Sequence, residues 1–372
     1  MKLFIFFAIV SLANAHDANI TCTPSVTTVS GTHAPSQICS GELIFEDNFN
    51  FLDVARWKHE VSLAGGGNWE FQWYVNDRQN SFVNNGILNF RPSFTSDIFG
   101  EAFLTSGRVI IPPGECTLAE WYGCDRQGSV NNIINPIRSA RLDTRNSFSF
   151  KFGTLEIRAK MPAGDWLWPA LWLMPQRSVY GGWPASGEID LLEQRSNRQL
   201  YNGNVNVGVN QAGSTMHFGP RWDFNAWETT HGLRNQVPGF DANFHVYRLE
   251  WTPAGLRFLV DGNTILNVPV GNGFWARGGS WFQSSGLPNP WLSGTQMAPF
   301  DQEFFIIMNL AVGGTNFFAD HFVNRNSPKP WLNTSPRAAA DFWAARSAWQ
   351  PTWTLHNTDS QMQIDYVRVW AL

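Results

Sequence analysis

Charge is scarce in this chain. Only 15% of its 372 residues are Asp, Glu, Lys or Arg, and 26 basic residues against 30 acidic ones leave a net charge of −4. A nucleic-acid-binding surface needs a clustered basic excess, so that class of partner is excluded. Cysteine is sparse too. The chain has four, none in a Cys-x-x-Cys pair or beside paired histidines, which argues against a zinc centre. Beyond residue 15 no apolar run is long enough to span a bilayer. An internal repeat, a coiled-coil pattern, a phosphate-cradling glycine loop and a Ser/His/Asp nucleophile elbow are all missing.

Aromatics are abundant. The chain carries 19 Trp and 29 Phe, and 43% of its residues are hydrophobic. A large core accounts for most Phe and for about half of the Trp. Trp is rarely buried whole, so the remainder point to aromatic surfaces in a cleft.

Residues 1–15 read as a secretory signal: Lys2, then an apolar run from Leu3 to Leu12, then Ala13-Asn14-Ala15 as a small-x-small cleavage site. The mature chain is expected to start near His16, to be secreted and soluble, and to function as a monomer. The cysteines fit that compartment. Four allow three pairings, and proximity favours Cys22–Cys39 and Cys116–Cys124. Asn19 and Asn333 stand in glycosylation sequons.

Short alternating strands separated by turn signals fill the rest. Asn85-Gly86 and Asp261-Gly262 are hairpin turns; Leu155, Ile157 and Ala159 alternate with Glu156, Arg158 and Lys160. The pattern is all-β, a sandwich in a single domain over 43–372, preceded by an extension over 16–42. Residues 271–300 read as a long surface loop. Ser335-Pro336 reads as the N-cap and first position of a helix running to about Ser347.

One stretch stands apart, Ser186 to Glu193. Glu188 and Asp190 share a strand face, while Ile189 and Leu191 face a core. Glu193 has the wrong parity, and a β-bulge at Leu191 or Leu192 would return it to the acid face. Three acids on one face repel, so a purely structural strand gains nothing from them. Paired carboxyls roughly 5–5.5 Å apart are what retaining glycoside hydrolysis uses. Upstream, Trp166, Trp168 and Trp172 share one parity and Leu167, Leu171 and Leu173 the other, which assigns the indoles to a cleft and the leucines to a core.

Gly187-Glu188-Ile189-Asp190-Leu191-Leu192-Glu193 resembles the E-x-D-x-x-E signature of glycoside hydrolase family 16, in the bulged form of its laminarinase-type β-1,3-glucanases; the lichenase branch usually lacks the bulge. Leu167-Trp168-Pro169-Ala170-Leu171-Trp172-Leu173, Trp183-Pro184-Ala185-Ser186-Gly187-Glu188, Gly65-Gly66-Gly67-Asn68-Trp69-Glu70-Phe71-Gln72 and Ser139-Ala140-Arg141-Leu142-Asp143-Thr144 are similar to further family segments. The resemblance covers roughly 43–372 and implies a jelly roll of two curved antiparallel sheets with an open concave groove. It implies a secreted endo-β-1,3-glucanase: Glu188 the nucleophile, Glu193 the acid/base, Asp190 tuning the pair. Trp172 and Trp183 would flank the cleaved bond, with Trp168, His217, Asn68 and Arg141 as further sugar contacts. No catalytic cofactor is implied. A structural calcium is a family feature for which Glu46, Asp47 and Asp365 are the candidates.

Two other functions compete. The same scaffold serves secreted β-1,3-glucan sensors that do not hydrolyse. Such relatives typically lose the acids, and many carry an extra N-terminal module for which the residues before 43 leave no room. The other is a hydrolase of mixed-linkage glucan or of a galactan. On residues alone, Asn68 could equally cap a turn, Arg141 equally form an ion pair, and His217 could bond substrate or tune Glu193.

Overall fold

The computed structural model describes residues 22–372, so the signal segment and Asn19 lie outside the described residues. Two large sheets dominate. The first has nine strands: Thr28–Ser30, Ser149–Lys151, Phe304–Val312, Leu167–Pro175, Glu188–Glu193, Gln211–His217 and His231–Asn235 in spatial order, with Arg141–Asp143 and Lys58–His59 attached beside Phe304–Val312. The second has eight: Asn263–Pro269, Gly255–Val260, His245–Thr252, Gly153–Lys160, Met362–Trp370, Ile87–Phe90 and Ser81–Asn84, with Leu43–Asp47 also on Met362–Trp370. All pairings within these two sheets are antiparallel.

Alternation produces this arrangement directly. Leu155, Ile157 and Ala159 are fully buried, while the Glu, Arg and Lys between them stay half-exposed. The two hairpins turn where expected, through Asn85 (φ 51°) and Gly86 (φ 75°), and through Asp261 (φ 49°) and Gly262 (φ 74°). Trp251 pins the sheets together. Its ring meets Phe150 and Phe304 of the first sheet edge-on at 5.5 Å each, and Phe152 at 5.7 Å.

Both expected disulfides form, Cys22–Cys39 and Cys116–Cys124, and no free cysteine remains among the described residues. That pattern fits an oxidising compartment. The segment before residue 43 supplies the edge strand Thr28–Ser30, and Ser25 Oγ donates to the Leu372 carbonyl at 2.8 Å.

Three expectations need correction. Residues 271–300 are not merely a loop: Phe274–Ser284 is a helix, kinked at Gly279, whose Phe274 and Phe282 pack with Trp291 around the buried Phe218. Aromatic burial there outweighs a Gly- and Ser-rich composition. The helix expected from Ser335 starts later, at Ala338–Ala344, and a second short one follows at Arg346–Trp349. Arg337, not Ser335, is the N-cap; Ser335 Oγ instead accepts the Arg337 N–H at 3.1 Å in a turn before the helix. Finally, the calcium candidates are held by other partners. Glu46 pairs with Arg368 at 2.8 Å, Asp47 accepts the Trp57 indole at 2.8 Å, and Asp365 pairs with Arg158. Cations and donors already satisfy these carboxylates, so they do not fit a calcium ion. The Asn333 amide is also engaged, donating to the Phe318 carbonyl at 3.1 Å.

Trp251→Ala should cost about 3–5 kcal/mol, because it removes a buried indole shared by both sheets. Equilibrium unfolding in denaturant checks this; a loss under about 1 kcal/mol would show that the inter-sheet core does not depend on that ring.

Candidate functional site

The acid strand carries the expected bulge. Along Leu167–Pro175, Trp172 faces Asp190 and Leu171 faces Leu192, so Leu191 has no partner. On the other side Asp190 faces Thr215 and Glu193 faces Gly213, three steps against two. The displaced Leu191 carbonyl accepts the Ser214 hydroxyl at 2.7 Å, which keeps the bulge from burying an unpaired acceptor. The insertion flips the parity beyond it. Glu193 returns to the face of Glu188 and Asp190; the charges of Glu188 and Glu193 both act on Asp190, and that of Glu188 acts on Glu193.

Indoles and an imidazole hold this row. The exposed Trp183 donates its N–H to Glu188 Oε2 at 2.7 Å. At the other end Trp168 donates to Glu193 Oε1 at 3.1 Å. His217, facing Glu188 across the strand pair, places Nε2 3.1 Å from Asp190 Oδ2 and 4.0 Å from Glu188 Oε1. Its Nδ1 rests against the Asn225 amide at 2.8 Å. His217 therefore engages Asp190 and Glu188 rather than bonding Glu193.

Burial pushes Asp190 well above the usual carboxylate range, and the charges of Glu188 and Glu193 push it further. Glu193 is raised by burial first, with Glu188 adding to it and His217 opposing. Burial works against a charge on His217, but the hydrogen bond it donates to Asp190 and the surrounding carboxylates outweigh it and lift the ring to about 9.

The remaining expected residues divide. Trp172 is half-buried; its N–H donates to Asn309 Oδ1 at 2.6 Å and its ring lies 4.6 Å from the Arg141 guanidinium. Arg141 pairs with Glu60 at 3.2 Å in a largely buried setting, so it braces Trp172 from below. Asn68 spends both ends of its amide on protein: Nδ2 donates to Glu70 at 3.1 Å, and Oδ1 accepts from Asn316 at 2.5 Å. Trp166 does not join the cleft. It lies outside the strand with φ 71°, which breaks the alternation, and it is fully buried against Phe318 and Trp331.

Sequence reasoning missed several members. Phe317 stacks on Trp168 at 4.1 Å with 7° between the rings, and Arg195 covers Phe317 at 4.0 Å. Glu70 is buried and raised to about 7 by burial, against hydrogen bonds from Asn68 and Gln72. Its place in the Gly-Gly-Gly-Asn-Trp-Glu segment was the available signal. The donor atoms of Glu188, Asp190 and His217 lie within 4.8 Å of one another, the one such convergent group among the described residues.

The His217 value lies above the 6.5 of a free imidazole. Its protonation therefore supports the fold fully below about pH 6.5, and that support is lost as pH rises through about 9. An NMR titration should place the His217 midpoint near 9. Melting temperature should fall from neutral to alkaline pH in the wild type and less so in His217→Gln. A midpoint near 6.5 would remove the ion-pair description.

A family model described as "Glycosyl hydrolases family 16" matches residues 125–273. The β-1,3-glucan-binding protein of Penaeus monodon is 47% identical over 89% of this chain and 90% of its own length. β-1,3-glucan-binding protein 2 of Manduca sexta is 34% identical over 91% of this chain and 66% of its own. Among solved structures, the laminarinase of Rhodothermus marinus superposes with a TM-score of 0.54 at 25% identity, covering 89% of this chain and 97% of that one.

These relatives correct the expected activity. The 47%- and 34%-identical proteins are named for binding a glucan, not for cleaving one, and this overturns the hydrolase reading and its mixed-linkage and galactan variants. The physical reason is that the acid spacing reports a gathered carboxylate row, and such a row also accepts sugar hydroxyls. On the strength of its sandwich, its bulged acid strand and a 47%-identical relative aligned over most of both chains, this chain belongs to glycosyl hydrolase family 16.

Proposed function

We propose that this chain is a secreted β-1,3-glucan-binding recognition protein that holds the polymer across the outer face of the nine-stranded sheet. The observation that carries the reading is the 47% identity to a β-1,3-glucan-binding protein. The site is chemically apt for it. A glucan is uncharged and amphipathic: each ring has a face of C–H groups and an edge of hydroxyls. Trp183, 44% exposed, offers a face for stacking. Glu188 and Asp190 accept hydroxyls, and protonated His217 donates to them. The Trp183–Glu188 hydrogen bond fixes the stacking ring before the ligand arrives, which lowers the ordering cost of binding.

Laminarin titrated into the protein should quench or shift tryptophan fluorescence saturably. Trp183→Ala should weaken binding about tenfold or more with little change in melting temperature, since the ring is exposed. Two results would overturn the reading: no laminarin binding, or release of new reducing ends by the wild type that Glu188→Gln abolishes.

A further inference from the structure

Away from the acids, the three-glycine turn and the Cys116–Cys124 loop come together. Gly65, Gly66 and Gly67 have φ of 67°, 59° and 81°, and the Trp121 ring lies 3.4 Å from where a Cβ on Gly67 would stand. Trp69, Trp121 and Tyr122 border an open depression of about 820 Å³ with Asp125 at its edge. They are 49%, 45% and 70% exposed, a cost in water that a core does not explain.

The backbone under these rings is strained. Trp69 (φ 53°), Trp121 (φ 53°) and Tyr122 (φ 62°) supply three of the eight non-glycine positive-φ residues among the described residues. Neighbours hold the loop in place. The disulfide closes it, Ser62 Oγ donates to the Leu118 carbonyl at 2.7 Å, and Arg126 donates to the Trp121 carbonyl at 2.8 Å. Strain that the surroundings maintain, under side chains left in solvent, is typical of a surface that binds something.

A continuous set of contacts joins this surface to the acid row. Glu193 is bonded to Trp168, Trp168 stacks on Phe317, and the adjacent Asn316 bonds Asn68, which precedes Trp69. We infer that Trp69, Trp121 and Tyr122 form an aromatic shelf that binds further sugar units of the same β-1,3-glucan, beyond the Glu193 end of the row. This rests on the glucan-binding reading above. Flat rings beside the Arg108–Asp125 ion pair suit pyranose units, whose C–H faces stack while their hydroxyls reach a polar edge. Trp183 then serves one end of the bound chain and the shelf the other.

Affinity for β-1,3-linked oligosaccharides of increasing length tests this by calorimetry. Wild-type affinity should keep rising beyond the length that fills the acid row. Trp121→Ala/Tyr122→Ala should bind short oligosaccharides within about twofold of wild type yet bind long ones about tenfold more weakly. Trp69→Ala, on a separate loop, should reproduce that selective loss, which guards against collapse of the disulfide loop. Trp183→Ala should weaken every length. If both shelf variants bind long glucan as tightly as wild type, the inference is overturned and the shelf faces another partner, such as a protein. If the wild type binds no length at all, the glucan-binding reading fails first and takes the shelf with it.

Discussion

A single extra residue on one strand governs the geometry of the site. Strand side chains have a period of two, so an unbulged Glu188–Glu193 segment would send Glu193 into the core beside Ile189. Leu191 absorbs the insertion. Its side chain stays buried, its carbonyl takes the Ser214 hydroxyl, and the strand continues with the opposite parity. Both flanking strands keep their register on either side of the bulge, so its position is set by two pairings at once. The carboxylate row and the Trp168–Glu193 hydrogen bond both follow from that one shift.

Gathering three acids raises an electrostatic problem that His217 answers. Buried like charges disfavour ionisation, and Asp190 and Glu193 are both pushed toward the neutral form. A protonated imidazole facing Glu188 and 3.1 Å from Asp190 offsets the negative charge of the row. The Trp183 and Trp168 indoles add neutral donors at the two ends of the row. The row is therefore polar and preorganised without strong net charge, which suits an uncharged polymer better than an ionic ligand.

Local patterns showed much of this in advance. The alternation of Gly153–Lys160, both hairpin turns and the bulge all reflect short-range rules, and all appear where the sequence put them. What escaped depended on tertiary context. Trp166 has the same parity as Trp168, yet its positive φ turns it into the core. Parity arguments hold only inside a strand, and Trp166 lies one residue outside. Phe274 and Phe282 make a helix in a Gly-rich stretch because a distant Phe218 receives them. Arg141 and Trp172 stack on each other, with Glu60 paired to Arg141. Neither partner could be predicted from its own neighbours in the chain.

Activity answers to constraints that the acid spacing does not carry. A motif that gathers carboxylates constrains geometry, and hydrolysis adds demands that spacing does not encode: a reachable anomeric carbon, a positioned water, and protonation states that change in step. Binding needs only part of this. The indole faces and hydroxyl acceptors suffice, and each stays useful if the bond between two sugars is never strained. A fold that carries the acid row can therefore host recognition or cleavage, and the 47%-identical relative weighs on the side of recognition. A shelf continuous with the row makes sense in that light, because affinity for a long polymer grows with the number of units held and does not depend on where a bond would break.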